Sequence, residues 1–369
     1  MTNLRVVTRL AQTAAITAAV VLTPLAWAQS ATGSWLQLFD GETTYGWNQI
    51  GASPWSVQDG AIVCDSGCGG LLATTAQFKD FELNVKMKVK PGCSSGLMVR
   101  GALEGHPTET GSTVIPIAEP KNGSGDWHQI HVEAVGDSVK ATVDGNPVDI
   151  TVGSRKVGYI GIQYHHNRLA KVEVSEVQLR PLSMQSIFNG KDLTGWNIIP
   201  GHKSVFSVDN GALHIVHGNG QIETDGVYKD FCLQLDIFSN GDHLNSGVFY
   251  RSPKGVFWKG YESQVRNQWI GDDRTKPIDY GTGGNYGNCQ ARKVVSSDRK
   301  WFTMTVLADG NHTSVWVNGY QVSDFTDNRP VSPDKQGKDG YVPGPGTINL
   351  QGHDPTTDLS FKNIIIEPY

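Results

Sequence analysis

The residues best suited to chemistry lie in the C-terminal half, where they alternate with apolar ones. In 261–266, Tyr261, Ser263 and Val265 take one side, and Glu262, Gln264 and Arg266 take the other. In 347–353, Ile348 and Leu350 point inward, while Asn349, Gln351 and His353 point outward. In 248–251, Val248 and Tyr250 leave Phe249 and Arg251 on the opposite side, and in 231–238, Gln234 and Asp236 accompany Cys232. A carboxylate and an imidazole can move protons, a guanidinium is permanently cationic, and amides hold hydroxyl groups. If these strands neighbour one another in one sheet, its outer surface gathers these groups around a hollow suited to a polyhydroxylated ligand. Burying them without partners is costly.

The elements that must position them are strands. In 79–89, Phe81, Leu83, Val85, Met87 and Val89 alternate with polar residues, and Phe231, Leu233, Leu235 and Ile237 repeat the pattern. That is a strand with one face on a core. Asp144-Gly145 and Asn318-Gly319 each separate two such runs, the signature of tight hairpins. Helical periodicity is nearly absent. The 43 Gly and 17 Pro fit many turns between short strands. These features predict antiparallel β-sandwiches, most simply jelly rolls.

The chain says nearly the same thing twice. FDGETTYGW, WSVQDGAI, KDFEL, SSGLMVRG, VDG and GIQYHH in the first half return in order as FNGKDLTGW, FSVDNGAL, KDFCL, NSGVFYRS, VNG and NLQGHD. So long a period means two copies of one domain. What the copies share is expected to be fold, and what one alone has, function. Arg100 matches Arg251, while Gln163 and His165 match Gln351 and His353. The middle differs: Arg100 and Trp127 are 27 positions apart, and Arg251 and Trp301 are 50 apart. The extra segment holds GYESQVRNQ and YGTGGNYGN, so chemistry is expected in the second copy, where long Gly-rich insertions shape binding sites. The boundary is placed near Pro181-Leu182-Ser183, giving a first domain over 34–182 and a second over 186–369.

Residues 1–28 read as a signal peptide. Arg5 and Arg9 precede an apolar stretch from Ala14 to Leu22, and Ala26-Trp27-Ala28 offers small residues for cleavage after Ala28. The stretch is too short for a membrane span. An exported protein, periplasmic or extracellular, is expected. The remaining 29 basic and 36 acidic residues argue against nucleic acid or an anionic membrane as partner. Of the five Cys, Cys64, Cys68 and Cys93 fall in the first copy and Cys232 and Cys289 in the second. In an exported chain, one bridge per copy is expected.

In the order of FNGKDLTGW, the KDF strand, NSGVFYR, GYESQ, GGNYG, VNG and LQGHD, the stretch Ile187 to Tyr369 resembles the 3-keto-disaccharide hydrolase domain family. Ser34 to Leu182 resembles a divergent second member that lacks the GYE segment. The resemblance implies two tandem concanavalin-like jelly rolls. It also implies cleavage of glycosides whose sugar carries a ketone at carbon 3. Such a ketone acidifies the hydrogen on carbon 2, and the glycosidic oxygen on carbon 1 then leaves by elimination. Water adds back to complete a net hydrolysis. The implied roles are a base near carbon 2, filled by His353 or else Glu262, and enolate stabilisation by Arg251. Asp236, Gln264, Tyr286 and Gln351 would hold hydroxyls, and Trp258, with Trp269 as a further candidate, would stack on a pyranose ring.

No cofactor is required by any motif. A calcium or other divalent ion is open, either on Asp354 and Asp358 beside His353 or between His353 and Glu262. His165 and His166, and likewise His214 and His217, are split across opposite strand faces and make poor metal pairs. There is no HExxH and no Glu-x-Asp-x-x-Glu strand, so an ordinary retaining glycosidase has little support. The competing function is a carbohydrate-binding protein without catalysis, with the first copy as a binding or docking module that shapes the rim of the second.

Overall fold

The computed structural model describes residues 30–105, 107–118, 122–165 and 170–369. The signal-peptide assignment to residues 1–28 and the candidate His166 lie outside the described residues. Among the described residues the fold is all-β apart from one helical turn, Pro107–Thr110. Among the described residues no helix is long and apolar enough to cross a membrane.

Each copy is a two-layer jelly roll with a five-stranded front sheet. In the first copy its order is Trp47–Gly51, Gly70–Phe78, Gly158–Tyr164, Ser94–Gly101, Thr113–Ala118. In the second it is Trp196–Ile198, Gly220–Thr224, Thr347–Gly352, Ser246–Ser252, Tyr261–Val265. Alternation explains the layers. Phe81–Val89 buries every second side chain, with Phe81, Leu83, Val85, Met87 and Val89 at the core. Phe231–Ser239 does the same but also buries Cys232 and Gln234, because the N-terminal segment of the first copy covers its outer face. There Gln234 Oε1 accepts from the Ser34 amide at 2.7 Å.

Both expected hairpins form. Asp144-Gly145 and Asn318-Gly319 have positive φ at both positions, which is why Gly follows Asp or Asn there. Asp59-Gly60 and Asn210-Gly211 make the same turn between equivalent strands of the two copies.

Two hydrophobic clusters fill the two sandwiches, and Trp316 and Leu307 of the second copy pack into the cluster of the first. The back sheets are continuous, because Leu36–Gln37 pairs antiparallel with Val172–Pro181 and parallel with Tyr320–Thr326. The expected disulfides do not form. No pair of the five cysteines is bridged. Cys232 is buried on a core strand with its thiol pushed well up by burial, and Cys289 lies on a loop beside Asp324.

Candidate active site

The front sheet of the second copy turns a polar surface away from its core. Gln221 and Glu223 come from Gly220–Thr224, Asn349 and Gln351 from Thr347–Gly352, and Glu262 and Gln264 from Tyr261–Val265. Cross-strand register aligns them: Gln221 faces Gln351, Glu223 faces Asn349, and Gly247 faces Gln264. A side chain at Gly247 would collide with the Glu262 carboxyl group, so glycine there makes room for the acid.

Several amide atoms on this surface are buried with no protein partner: Gln221 Nε2, Asn349 Nδ2, Gln351 Oε1 and, at the sheet margin, Asn245 Oδ1. Each such atom costs about 1–3 kcal/mol when left unpaired. Of these, Asn245 lines the recess around His353, while Gln221, Asn349 and Gln351 are buried within the sheet surface.

Two loops of the second copy build the walls, and the later of them lies in the stretch between Val265 and Trp301 that is longer than its counterpart in the first copy. Residues 253–259 lie across the sheet, held by Glu223, whose carboxylate accepts the Gly255 amide at 2.9 and 3.0 Å. Gln221 Oε1 accepts the Trp258 amide at 2.7 Å, and the Trp258 carbonyl accepts Gln336 Nε2 at 3.2 Å. These bonds hold Trp258 in the left-handed region with its indole 44% exposed, next to Phe257, which stacks on His202. Residues 279–291 form the other wall, and Asp279 and Tyr280 are left-handed as well. Three non-glycine residues in this conformation around one hollow are a local strain that the surrounding hydrogen bonds must offset.

Trp258, Glu262, Gln264, Asp279, Tyr286, Asn245 and His353 line one recess on this face. A connected recess adds Phe249, Gln336 and Lys338. Asn245 Nδ2 donates to Asp279 Oδ2 at 3.0 Å and lies 3.3 Å from His353 Nε2. Gln264 Nε2 donates to the same carboxylate at 3.0 Å. His353 Nδ1 lies 3.1 Å from Asp354 Oδ2. Burial pushes the Asp354 carboxyl up, but hydrogen bonds from Thr356 and His353 outweigh it and hold it below its ordinary range. The pairing places the imidazole proton on Nδ1 and makes Nε2 an acceptor, which here accepts a hydrogen bond from Asn245 Nδ2 at the edge of the recess.

Glu262 is 7% exposed. Burial, and secondly the negative charge of Asp279, raise its pKa from 4.5 to about 8, against an opposing hydrogen bond from Trp258. The group is therefore a carboxylic acid at neutral pH, able to donate a proton. Burial, then Asp279 and Glu262, also push the Tyr286 hydroxyl up.

The predicted set divides cleanly. Glu262, His353, Gln264, Tyr286 and Trp258 come together, and Gln351 lies on the sheet floor beside Gln221. Arg251 does not join them. It is 2% exposed and points away, its Nε donating to the Lys229 carbonyl and its Nη groups to the Val342 carbonyl and Asp230. Strict alternation fails there because Arg251 is left-handed and the strand register shifts between Phe249 and Ser252. Arg100 repeats the arrangement with the Lys79 carbonyl, the Gly136 carbonyl and Asp80, so this arginine belongs to the shared fold.

Asp236 is also misplaced by the one-sheet expectation. Its strand pairs with Trp301–Asp309 and Asp358–Pro368 in the back sheet, where Thr303 and Asn363 donate to its carboxylate. Trp269 lies under the Arg274 guanidinium, 4.0 Å from ring to cation. Asp354 and Asp358 diverge, since Asp358 accepts from His214 at 2.7 Å. Among the described residues no group of three or more His, Cys, Asp or Glu is arranged to hold a metal ion.

Asn245, Asp279, Gln221 and Glu223 were not anticipated. The alternation of GQIET offered Gln221 and Glu223, and comparison of NSG with SSG offered Asn245 against Ser94. Asp279 had no local signal.

Register also shows what the first copy holds at equivalent places. Val114 stands for Glu262, Pro116 for Gln264, Gly161 for Asn349, Leu71 for Gln221 and Ala73 for Glu223. Leu71 and Met98 fill the space over Gly161. Among the described residues the first copy keeps only Gln163, the counterpart of Gln351, of this polar floor.

A jelly roll whose front sheet carries buried unpaired amides and sets a buried carboxylic acid and an imidazole in one recess is a carbohydrate-acting protein. More particularly, the chain belongs to the family described as the 3-keto-alpha-glucoside-1,2-lyase-like domain, whose model matches residues 34–180 and 183–367. No curated protein matches the chain. Among solved structures it is similar to two proteins from Parabacteroides distasonis provisionally described as glycosyl hydrolases. One is 24% identical with a TM-score of 0.42, covering 50% of this chain and 99% of the other. The second is 23% identical with a TM-score of 0.40, covering 50% and 94%. A carbohydrate-binding module, CBM66 of Bacillus subtilis, is 15% identical with a TM-score of 0.29, covering 36% and 94%.

Proposed function

We propose that this chain is an exported enzyme whose second copy cleaves 3-keto-glycosides by elimination and hydration, a net hydrolysis. The observation that carries the reading is Glu262, a buried acid protonated at neutral pH beside the His353 imidazole, above a floor of unpaired amides. In this reading His353 Nε2 removes the proton from carbon 2, and the electron pair moves to form the enolate at carbon 3. Collapse of the enolate breaks the bond from carbon 1 to the glycosidic oxygen, which takes the Glu262 proton. Glu262, now a carboxylate, accepts a proton from water as its oxygen bonds to carbon 1. His353 returns its proton to carbon 2, and both groups regain their starting states. With Arg251 pointing away, enolate stabilisation falls to a neutral donor that lines the recess, the Tyr286 hydroxyl, aided by low local polarity. Trp258 offers an apolar face to a pyranose ring. The first copy, lacking most of the polar floor, serves as a supporting module.

The test is turnover of a 3-keto-glucoside by the purified protein, with the unoxidised glucoside as control. The reading expects cleavage of the ketone substrate alone and its loss in Glu262→Gln and His353→Ala. Full turnover by both variants would overturn the assignment, and saturable binding with no turnover would favour a carbohydrate-binding protein.

A further inference from the structure

We propose that the first copy holds the 279–291 wall of the active site in place, with Arg292 as the positioning residue and Asp40 and Tyr45 as its cross-copy anchors. The inference rests on reading the Glu262 hollow as the site.

The wall is closed at its base by the Ala291 amide, which donates to the Tyr280 carbonyl at 2.8 Å. Within it, the Tyr286 amide donates to the Glu262 carbonyl at 2.9 Å, and Asp279 organises Asn245 and Gln264. The next residue after this closure is Arg292. Its amide donates to the Val322 carbonyl and its Nε to the Gln321 carbonyl, both at 2.8 Å. Its Nη1 crosses to the first copy, reaching Asp40 Oδ2 at 2.8 Å and Thr43 Oγ1 at 3.2 Å. The guanidinium lies against two rings, Tyr45 of the first copy at 4.4 Å and Tyr320 of the second at 4.3 Å. A cation held between aromatic faces and fixed by a carboxylate has little freedom to swing.

Asp40 is prepared for this partner. The amides of Glu42 and Thr43 donate to its Oδ1 at 2.8 and 2.7 Å, and the Thr43 hydroxyl donates to Oδ2 at 2.8 Å. The repeat provides an independent argument. Asp40 and Tyr45 belong to FDGETTYGW, whose second-copy counterpart is FNGKDLTGW, with Asn189 and Thr194 at the matching places. There the turn is closed locally, by Asn189 Oδ1 accepting the amides of Lys191 and Asp192. The same motif folds without a distant partner in one copy. In the other it carries the two side chains that reach the longer stretch of the second copy.

The experiment uses the full chain carrying Asp40→Asn with Tyr45→Thr, which installs residues this motif already tolerates in the second copy. Amide hydrogen exchange by mass spectrometry is read across 279–291, and kcat and KM are measured on a 3-keto-glucoside. Exchange in that segment should accelerate at least tenfold while the front-sheet strands keep their protection. Because the amide floor sits on the sheet, KM should hold while kcat falls about tenfold to a hundredfold, the scale of a misplacement near 1 Å. Tyr45→Phe, which keeps the ring, should match the parent in both. Unchanged exchange in 279–291, or a loss carried by KM alone, would overturn the proposal. A parent protein that turns over no 3-keto-glycoside would defeat the functional reading, and the exchange measurement would still decide the clamp.

Discussion

Replacing Glu262 with Gln should raise stability and remove activity, and pH separates the two effects. The folded carboxyl has its pKa raised from 4.5 to about 8. Below 4.5 the side chain is protonated in both folded and unfolded chains, and it contributes no pH dependence. Above that point the unfolded chain ionises while the folded site keeps its proton. Stability therefore falls by about 1.4 kcal/mol per pH unit until the folded group also ionises. Over the interval from 4.5 to about 8 the cost is on the order of 4–5 kcal/mol. A glutamine has no such slope. Urea unfolding of parent and variant at several pH values should show the difference tilting toward the variant by that amount as pH rises. Glu367, also raised to about 8 by burial and by Asp80, gives both proteins a common slope that cancels in the difference. Turnover of the variant should fall about a hundredfold to ten-thousandfold, the usual worth of a general acid. Parallel stability curves for the two proteins would refute the argument, because they would mean that Glu262 ionises as freely in the folded chain as in the unfolded one.

Three further outcomes are expected. Since the protonated acid is the working form, kcat should decline as pH passes about 8 in the parent, as read from a pH–rate profile. Trp258→Ala removes the exposed ring while its backbone anchors to Gln221 and Gln336 remain, so KM should rise about tenfold in steady-state kinetics, and loss of the ring's hydrogen bond to Glu262 should shift the pH dependence of kcat. Arg251→Met should act on the fold: it leaves Asp230 without its buried partner and should cost about 3–5 kcal/mol in urea melts, as should the equivalent Arg100→Met beside Asp80.

Much of the fold was legible because strand alternation depends only on neighbours in the chain. The apolar set of Phe81–Val89 and the hairpins at Asp144-Gly145 and Asn318-Gly319 follow from local steric rules, and the structure has them as read. The facing of Glu262, Gln264 and Gln351 was legible for the same reason, since Tyr261–Val265 and Thr347–Gly352 keep their alternation, and His353 follows directly after the second of these strands. Arg251 was not, because one left-handed residue reverses the parity on which the reading depends. The misassignment of Asp236 had another origin: alternation gives the face of a strand but not the sheet that the strand joins.

The residue order by itself determined that two related β-sandwiches form and that the second alone has the long Gly-rich middle, because periodicity, turn residues and the unequal repeat are properties of the chain alone. Which side chains meet was decided only by tertiary structure. Asp279 comes to lie beside Asn245 and Gln264 because loop 279–291 folds back over the sheet. The proton on Glu262 is a product of that same enclosure, since burial and the Asp279 charge exist only once the chain has closed around it.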